Sequence, residues 1–140
     1  MIVFILIANY VIQHPFFEYK HRIRYFVREE DNNISEIEHP SVRACMQFSK
    51  TECGVEIVHH ADLPALSGLG SSSTFTVGLL NALVALNGRM YTKKELAFNA
   101  LHIEQEVIGE NVGSQDQVST ARGGVNEIRF RKTGEIEVFP

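Results

Sequence analysis

The chain has 140 residues, of which 44% are hydrophobic and 21% charged, with a net charge of −4 and a pI of about 5.8. These are globular values for one domain or part of one, long enough to bury about two thirds of the unfolded surface. The acidic balance argues against a nucleic-acid footprint, which would be basic, but leaves room for a phosphate ligand held by local donors.

The first 28 residues read as two strands. Ile2 to Gln13 is rich in the strand formers Ile, Val, Phe and Tyr. This apolar start is shorter than the roughly 20 residues a membrane span needs. It lacks the basic flank and cleavage pattern of a signal peptide, so no membrane partner is expected. His14-Pro15 interrupts it. Arg22 to Arg28 then alternates, with Ile23, Tyr25 and Val27 opposite Arg22, Arg24, Phe26 and Arg28, which predicts one half-buried strand. The arginine stripe reads as a solvated strand face or as a contact to a sugar phosphate. Glu29 to Glu38 is polar and reads as a loop, and His39-Pro40-Ser41 suits the start of a helix from Val42 to Phe48.

Val55 to His59 alternates again and predicts a strand. From Thr74 to Leu86, Phe75, Leu79, Leu80, Leu83 and Leu86 recur at helical spacing, and Asn87-Gly88 supplies the stop. Thr92 and Glu95 match a capping box. The helix it opens should reach about Ile108, with Leu96, Ala100, Ile103 and Val107 inward and Gly109 ending it. On that phasing Glu104 falls at the boundary of the buried face. Asp116 to Ala121 suits a short helix, and Val125 to Phe130 with Ile136 to Phe139 a hairpin around Lys132-Thr133-Gly134. The mixed order of elements predicts an α+β fold. Cys45 and Cys53 fit neither a metal knuckle nor a disulfide framework and read as free thiols of a reducing cytoplasm. His59 and His60 are strand neighbours that point to opposite faces, a poor shared metal site.

The segment richest in chemistry is Pro64-Ala65-Leu66-Ser67-Gly68-Leu69-Gly70-Ser71-Ser72-Ser73-Thr74, a small-residue loop entering a helix. Helix starts carry unpaired N–H groups and partial positive charge. Gly68 and Gly70 let backbone amides approach a ligand, and the hydroxyls of Ser71 to Thr74 add donors and hard oxygen ligands. Together these make a phosphate cradle, although an ordinary capped turn uses the same residue types. No lysine follows the glycines, so the Walker pattern is absent, as is the Gly-x-Ser-x-Gly of a hydrolase elbow.

Pro-x3-Gly-Leu-Gly-Ser-Ser-Ser before a helix resembles the ATP-phosphate loop of the GHMP small-molecule kinases, among them galactokinase, homoserine kinase and mevalonate kinase. The resemblance implies ATP and Mg²⁺ as cofactors, with Pro64, Ser67, Gly68, Leu69, Gly70, Ser71, Ser72, Ser73 and Thr74 around the nucleotide. Gly113-Ser114-Gln115-Asp116-Gln117 looks like the family's second catalytic segment. It implies that Asp116 faces the acceptor hydroxyl, either taking its proton or orienting it; a turn or helix cap would be the structural use of the same aspartate. Glu104, in His102-Ile103-Glu104-Gln105, resembles the family's magnesium-holding glutamate, and motif position singles out Ser72 as its companion where chemistry alone does not rank the serines. Asp116 lies twelve positions after Glu104, a spacing that fits the sugar-kinase branch. Gln-Asp-Gln followed by Ala121-Arg122-Gly123-Gly124-Val125-Asn126 is most similar to the bacterial D-glycero-D-manno-heptose 7-phosphate kinases, which implies a heptose phosphate as acceptor.

The resemblance implies the two-layer N-terminal kinase domain over residues 1–140, incomplete. The family's glycine-rich segments near either terminus are not found. The chain is therefore expected to be part of a longer sugar kinase. The competing reading is a non-catalytic truncated remnant that binds nucleotide weakly or only self-associates through uncovered strands, as a homo-oligomer.

Overall fold

Alternation along two neighbouring strands decides which face of the sheet is covered. In the computed structural model, which describes residues 7–13, 18–61 and 70–140, a four-stranded sheet has the order β1-β4-β2-β3. Its strands are β1 (Ile7–Gln13), β2 (His21–Arg24), β3 (Arg28–Asp31) and β4 (Val55–Ala61). β1 runs antiparallel to β4, β4 parallel to β2, and β2 antiparallel to β3. A parallel pair cannot be closed by a tight turn. The return from β2 to β4 accordingly passes through β3, a 3-10 turn at Ile34–Glu36 and helix α1 (Pro40–Ser49).

In register, His21 lies beside Val55 and Ile23 beside Ile57, and all four are buried. The residues between them face the other way. There Arg22 Nε lies 2.9 Å from Glu30 Oε1, Arg24 Nη1 lies 3.5 Å from Glu56 Oε1, and Arg28 pairs with Glu30. The arginine stripe is thus embedded among carboxylates of its own sheet. The guanidinium of Arg28, seconded by that of Arg22, holds Glu30 below the usual carboxylate range.

The expected single strand from Arg22 to Arg28 is a hairpin instead. β2 stops at Arg24, where the Tyr25 amide donates to the Val27 carbonyl (3.0 Å). The Tyr25 hydroxyl donates to Glu29 Oε1 (2.7 Å), and its ring packs edge-on against His39, 4.9 Å between centroids. Alternation continues through the reversal without a glycine or proline to mark it. The expected loop from Glu29 onward likewise begins as the edge strand β3.

Helix α2 (Ser71–Leu86) carries the predicted apolar face, with Phe75, Leu79, Leu80 and Leu83 buried and Leu86 partly so. Ser73, Thr76, Val77 and Val84 are buried as well. The helix is enclosed on several sides because it packs on β1, on α1, on α3 (Lys93–His102) and on α4 (Gln115–Arg122). The capping box that opens α3 is present: the Thr92 amide donates to Glu95 Oε2 (2.8 Å) and the Glu95 amide to Thr92 Oγ1 (3.2 Å). Beyond His102 the helix widens into π turns over Ile103–Ile108 and ends at Gly109, whose φ of 83° is the left-handed conformation glycine tolerates. Widening delays the helical phase by one residue. Val107, expected inward, is exposed, and Ile108 packs on the core in its place. β5 (Glu127–Phe130) and β6 (Ile136–Phe139) form the expected hairpin as a separate two-stranded sheet. Residues 2–6 of the strand expected from Ile2 to Gln13, and the His14-Pro15 break, lie outside the described residues. Among those described, no helix is long and apolar enough to cross a membrane, and Cys45 and Cys53 are free thiols.

Three histidines sit in or against this core. Burial holds His21, His39 and His59 below the ordinary imidazole range. The folded chain therefore resists protonation that the unfolded chain accepts near pH 6.5. Stability should be complete above that value and fall as pH drops through it. Thermal melts at pH 7.5 and 5.5 should show the loss, and His21→Leu should narrow the difference between them.

Candidate functional site

Small residues at the first turn of α2 let a second helix approach its mouth. Gly70 is the N-cap, in the left-handed region at φ 73°, and has no side chain with which to cap the turn. The first intrahelical bond runs from the Thr74 amide to the Gly70 carbonyl (3.0 Å), so the amides of Ser71, Ser72 and Ser73 precede it. α4 docks against this turn through three facing pairs. Gln117 Nε2 donates to Ser73 Oγ (3.0 Å), and the hydroxyls of Thr74 and Thr120 lie 3.1 Å apart. The third pair is Gly70 with Asp116: a Cβ at Gly70 would lie 2.7 Å from Asp116 Cγ and 2.8 Å from Oδ2. Only a residue without a side chain fits beneath that carboxylate, and Asp116 itself remains exposed at the helix mouth.

Glu104 reaches the same turn from the π-helical segment. It is wholly buried, deeper than its expected place at the edge of the apolar face, because it follows buried Ala97 and Ala100 at helical spacing. Its Oε2 accepts from Ser73 Oγ (3.1 Å) and from Gln117 Nε2. Its Oε1 is buried without a hydrogen-bond partner among the described residues, as is Oε1 of Gln117. No cationic side chain pairs with Glu104 among the described residues. Its charge is felt nearby: burial, and behind it the Glu104 carboxylate, push the Cys45 thiol and the Glu110 carboxyl upward. The Glu104 carbonyl also accepts the Glu110 amide (2.8 Å), and Gln105 Nε2 donates to the Val112 carbonyl (2.7 Å). These bonds fix the connection that returns the chain to α4.

Of the residues singled out from sequence, Gly70, Ser73, Thr74, Glu104 and Asp116 converge at the mouth of α2. Ser71 is half-buried and Ser72 exposed there, and the serine bonded to Glu104 is Ser73. Pro64, Ser67, Gly68 and Leu69 lie outside the described residues. Sequence reasoning gave Gln117 no task. The available signal was the need of any buried carboxylate for donors.

The family model described as GHMP kinases N terminal domain matches residues 39–124. The chain belongs to the GHMP kinase family. Over 98 residues, 70% of this chain, it is 33% identical to a D-glycero-alpha-D-manno-heptose 7-phosphate kinase of Campylobacter jejuni, of which the match covers 29%. A mevalonate kinase of Methanothermobacter thermautotrophicus is 31% identical over 93 residues, 66% of this chain and 31% of that protein. The fold is that of a solved D-glycero-D-manno-heptose 1-phosphate kinase from Bacteriodes thetaiotaomicron, with a TM-score of 0.81 at 23% identity over 96% of this chain and 47% of the other. This GHMP kinase chain thus spans less than a third of those curated relatives and about half of the solved one.

The close approach at Gly70 makes a sharp prediction for the GHMP kinase domain. Gly70→Ala must hold alanine in a left-handed conformation and displace Asp116, and should cost about 2 kcal/mol or more in chemical denaturation. Adding Asp116→Ala should restore the part of the loss that comes from overlap and leave the part that comes from φ.

Proposed function

We propose that this chain carries the nucleotide and catalytic elements of an ATP-dependent phosphotransferase acting on a sugar or sugar-phosphate hydroxyl, with a heptose phosphate as the preferred acceptor. Residues 1–140 correspond in this reading to part of a GHMP kinase N-terminal domain. The observation that carries it is convergence: two carboxylates from separate segments, Glu104 and Asp116, meet the first turn of α2, one buried beneath it and one exposed at its mouth.

Each residue then has a task. The amides of Ser71, Ser72 and Ser73, which precede the first intrahelical bond, donate to phosphate oxygens, helped by the helix dipole. Asp116 accepts, or orients, the proton of the attacking hydroxyl from the solvent side of the mouth. The donor-free Oε1 of buried Glu104, with hydroxyl oxygen nearby, is the hard-oxygen chemistry that suits Mg²⁺, which usually takes one or two protein carboxylates and keeps waters and phosphate oxygens for the rest. Glu104 would hold the ion together with Ser72, whose hydroxyl is not engaged by Glu104 as that of Ser73 is. Bound there, Mg²⁺ would neutralise charge on the transferring phosphoryl group. The heptose preference rests on the Gln-Asp-Gln segment and on likeness to heptose phosphate kinases.

A second reading, nucleotide binding without turnover or self-association alone, is favoured by the outlying β5–β6 hairpin, where Phe130 and Phe139 are about half exposed (48% and 43%). Calorimetry with ATP and MgCl2, ADP release with a panel of heptose phosphate, galactose and mevalonate, and light scattering over a concentration series separate the readings. Turnover with a sugar supports the first. Asp116→Asn should then lower turnover by about 100-fold or more while nucleotide binding persists. Undiminished turnover in that variant would remove Asp116 from the chemistry.

A further inference from the structure

The hydrogen-bonded cluster under the mouth of α2 holds one residue that phosphotransfer leaves without a task. We infer that Gln117 is a positioning residue: it ties down one oxygen of Glu104, so that the other is presented to a divalent cation as a single-oxygen ligand. This rests on the reading that Glu104 carries the cation and deepens it.

Gln117 is completely buried, although its neighbour Asp116 is exposed. Both hydrogens of its amide are committed, one to Ser73 Oγ (3.0 Å) and one to Glu104 Oε2. The single hydroxyl hydrogen of Ser73 goes to the same Oε2 (3.1 Å). The three side chains close a ring in which Oε2 receives two donors and Oε1 none. Only one orientation of the amide is compatible with this ring. Exchanging nitrogen and oxygen would set an amide oxygen against the carboxylate, and Ser73 has no second hydrogen with which to satisfy it.

A carboxylate pinned in this way differs chemically from a free one. With both oxygens free it can chelate, as glutamate does for Ca²⁺. With Oε2 engaged by two donors, it offers one oxygen, the mode suited to a small ion with near-octahedral demands such as Mg²⁺ or Mn²⁺. The ring therefore bears on which cation is accepted as well as on how tightly it is held. Since Gln117 and Asp116 are consecutive on α4, the contact that orients Glu104 also fixes the turn on which Asp116 meets Gly70.

The test is calorimetric titration of the 140-residue chain with MnCl2 and with CaCl2, alone and with ATP, alongside thermal melts. The unaltered chain should bind Mn²⁺ more tightly than Ca²⁺. Gln117→Leu should weaken Mn²⁺ by about tenfold or more, as loss of a ligand-orienting partner does, and should narrow the Mn²⁺ over Ca²⁺ preference by releasing Oε2. Gln117→Asn keeps the amide but draws it back by a methylene. It should show the same narrowing in milder form, and it carries the comparison if the leucine variant does not fold. A purely structural glutamine would lower the melting temperature without changing the preference between ions, and that result overturns the inference. Binding of neither ion by the unaltered chain, with or without ATP, would sink the Glu104 reading and this inference with it, whereas normal binding indifferent to Gln117 sinks the inference alone.

Discussion

A carboxylate buried with no cationic side chain beside it among the described residues is the constraint around which the mouth of α2 is organised. Taking such a group out of water is costly unless donors surround it. Glu104 obtains them from Ser73 and Gln117, on two different helices, and each has to sit at the one place where it can reach. The small first turn of α2, the return of the chain through 109–114 and the docking of α4 all serve that meeting. The same docking brings Asp116 over Gly70. One buried charge thus fixes the relative placement of three segments that are far apart in sequence.

The periodic elements were legible because their signals are local. The helices α1 to α4, the strand β4 and the terminal hairpin follow from apolar spacing, capping residues and glycine stops, and the Thr92/Glu95 box is present atom for atom. What could not be read was non-local or phase-dependent. The reversal after Arg24 uses no turn residue and is marked by Tyr25 reaching Glu29. The outward turn of Val107 depends on helix widening that no residue type announces. The partnership of Gln117, Ser73 and Glu104 joins positions 44 and 31 residues apart, beyond any spacing rule. The family likeness identified Glu104 and Asp116 as a pair. The hydrogen bonds show how Glu104 is held.

The sheet plays a quieter part. Its outer face neutralises its own arginines with Glu30 and Glu56, while its inner face presses Ile23 and Ile57 against the helices. α2 therefore rests on the face opposite these ion pairs, and it is enclosed by β1, α1, α3 and α4.

The π turns at Ile103–Ile108 carry an implication for how this segment tolerates insertion and deletion. An α-helix can absorb one extra residue in such a bulge, so that the turns downstream keep their azimuth and only the numbering is displaced by one. Deleting a single residue between Gln105 and Val107 would return the segment to regular winding with Ile108 still turned to the core. The residue that faces inward, more than the number of residues before it, is what this stretch must preserve.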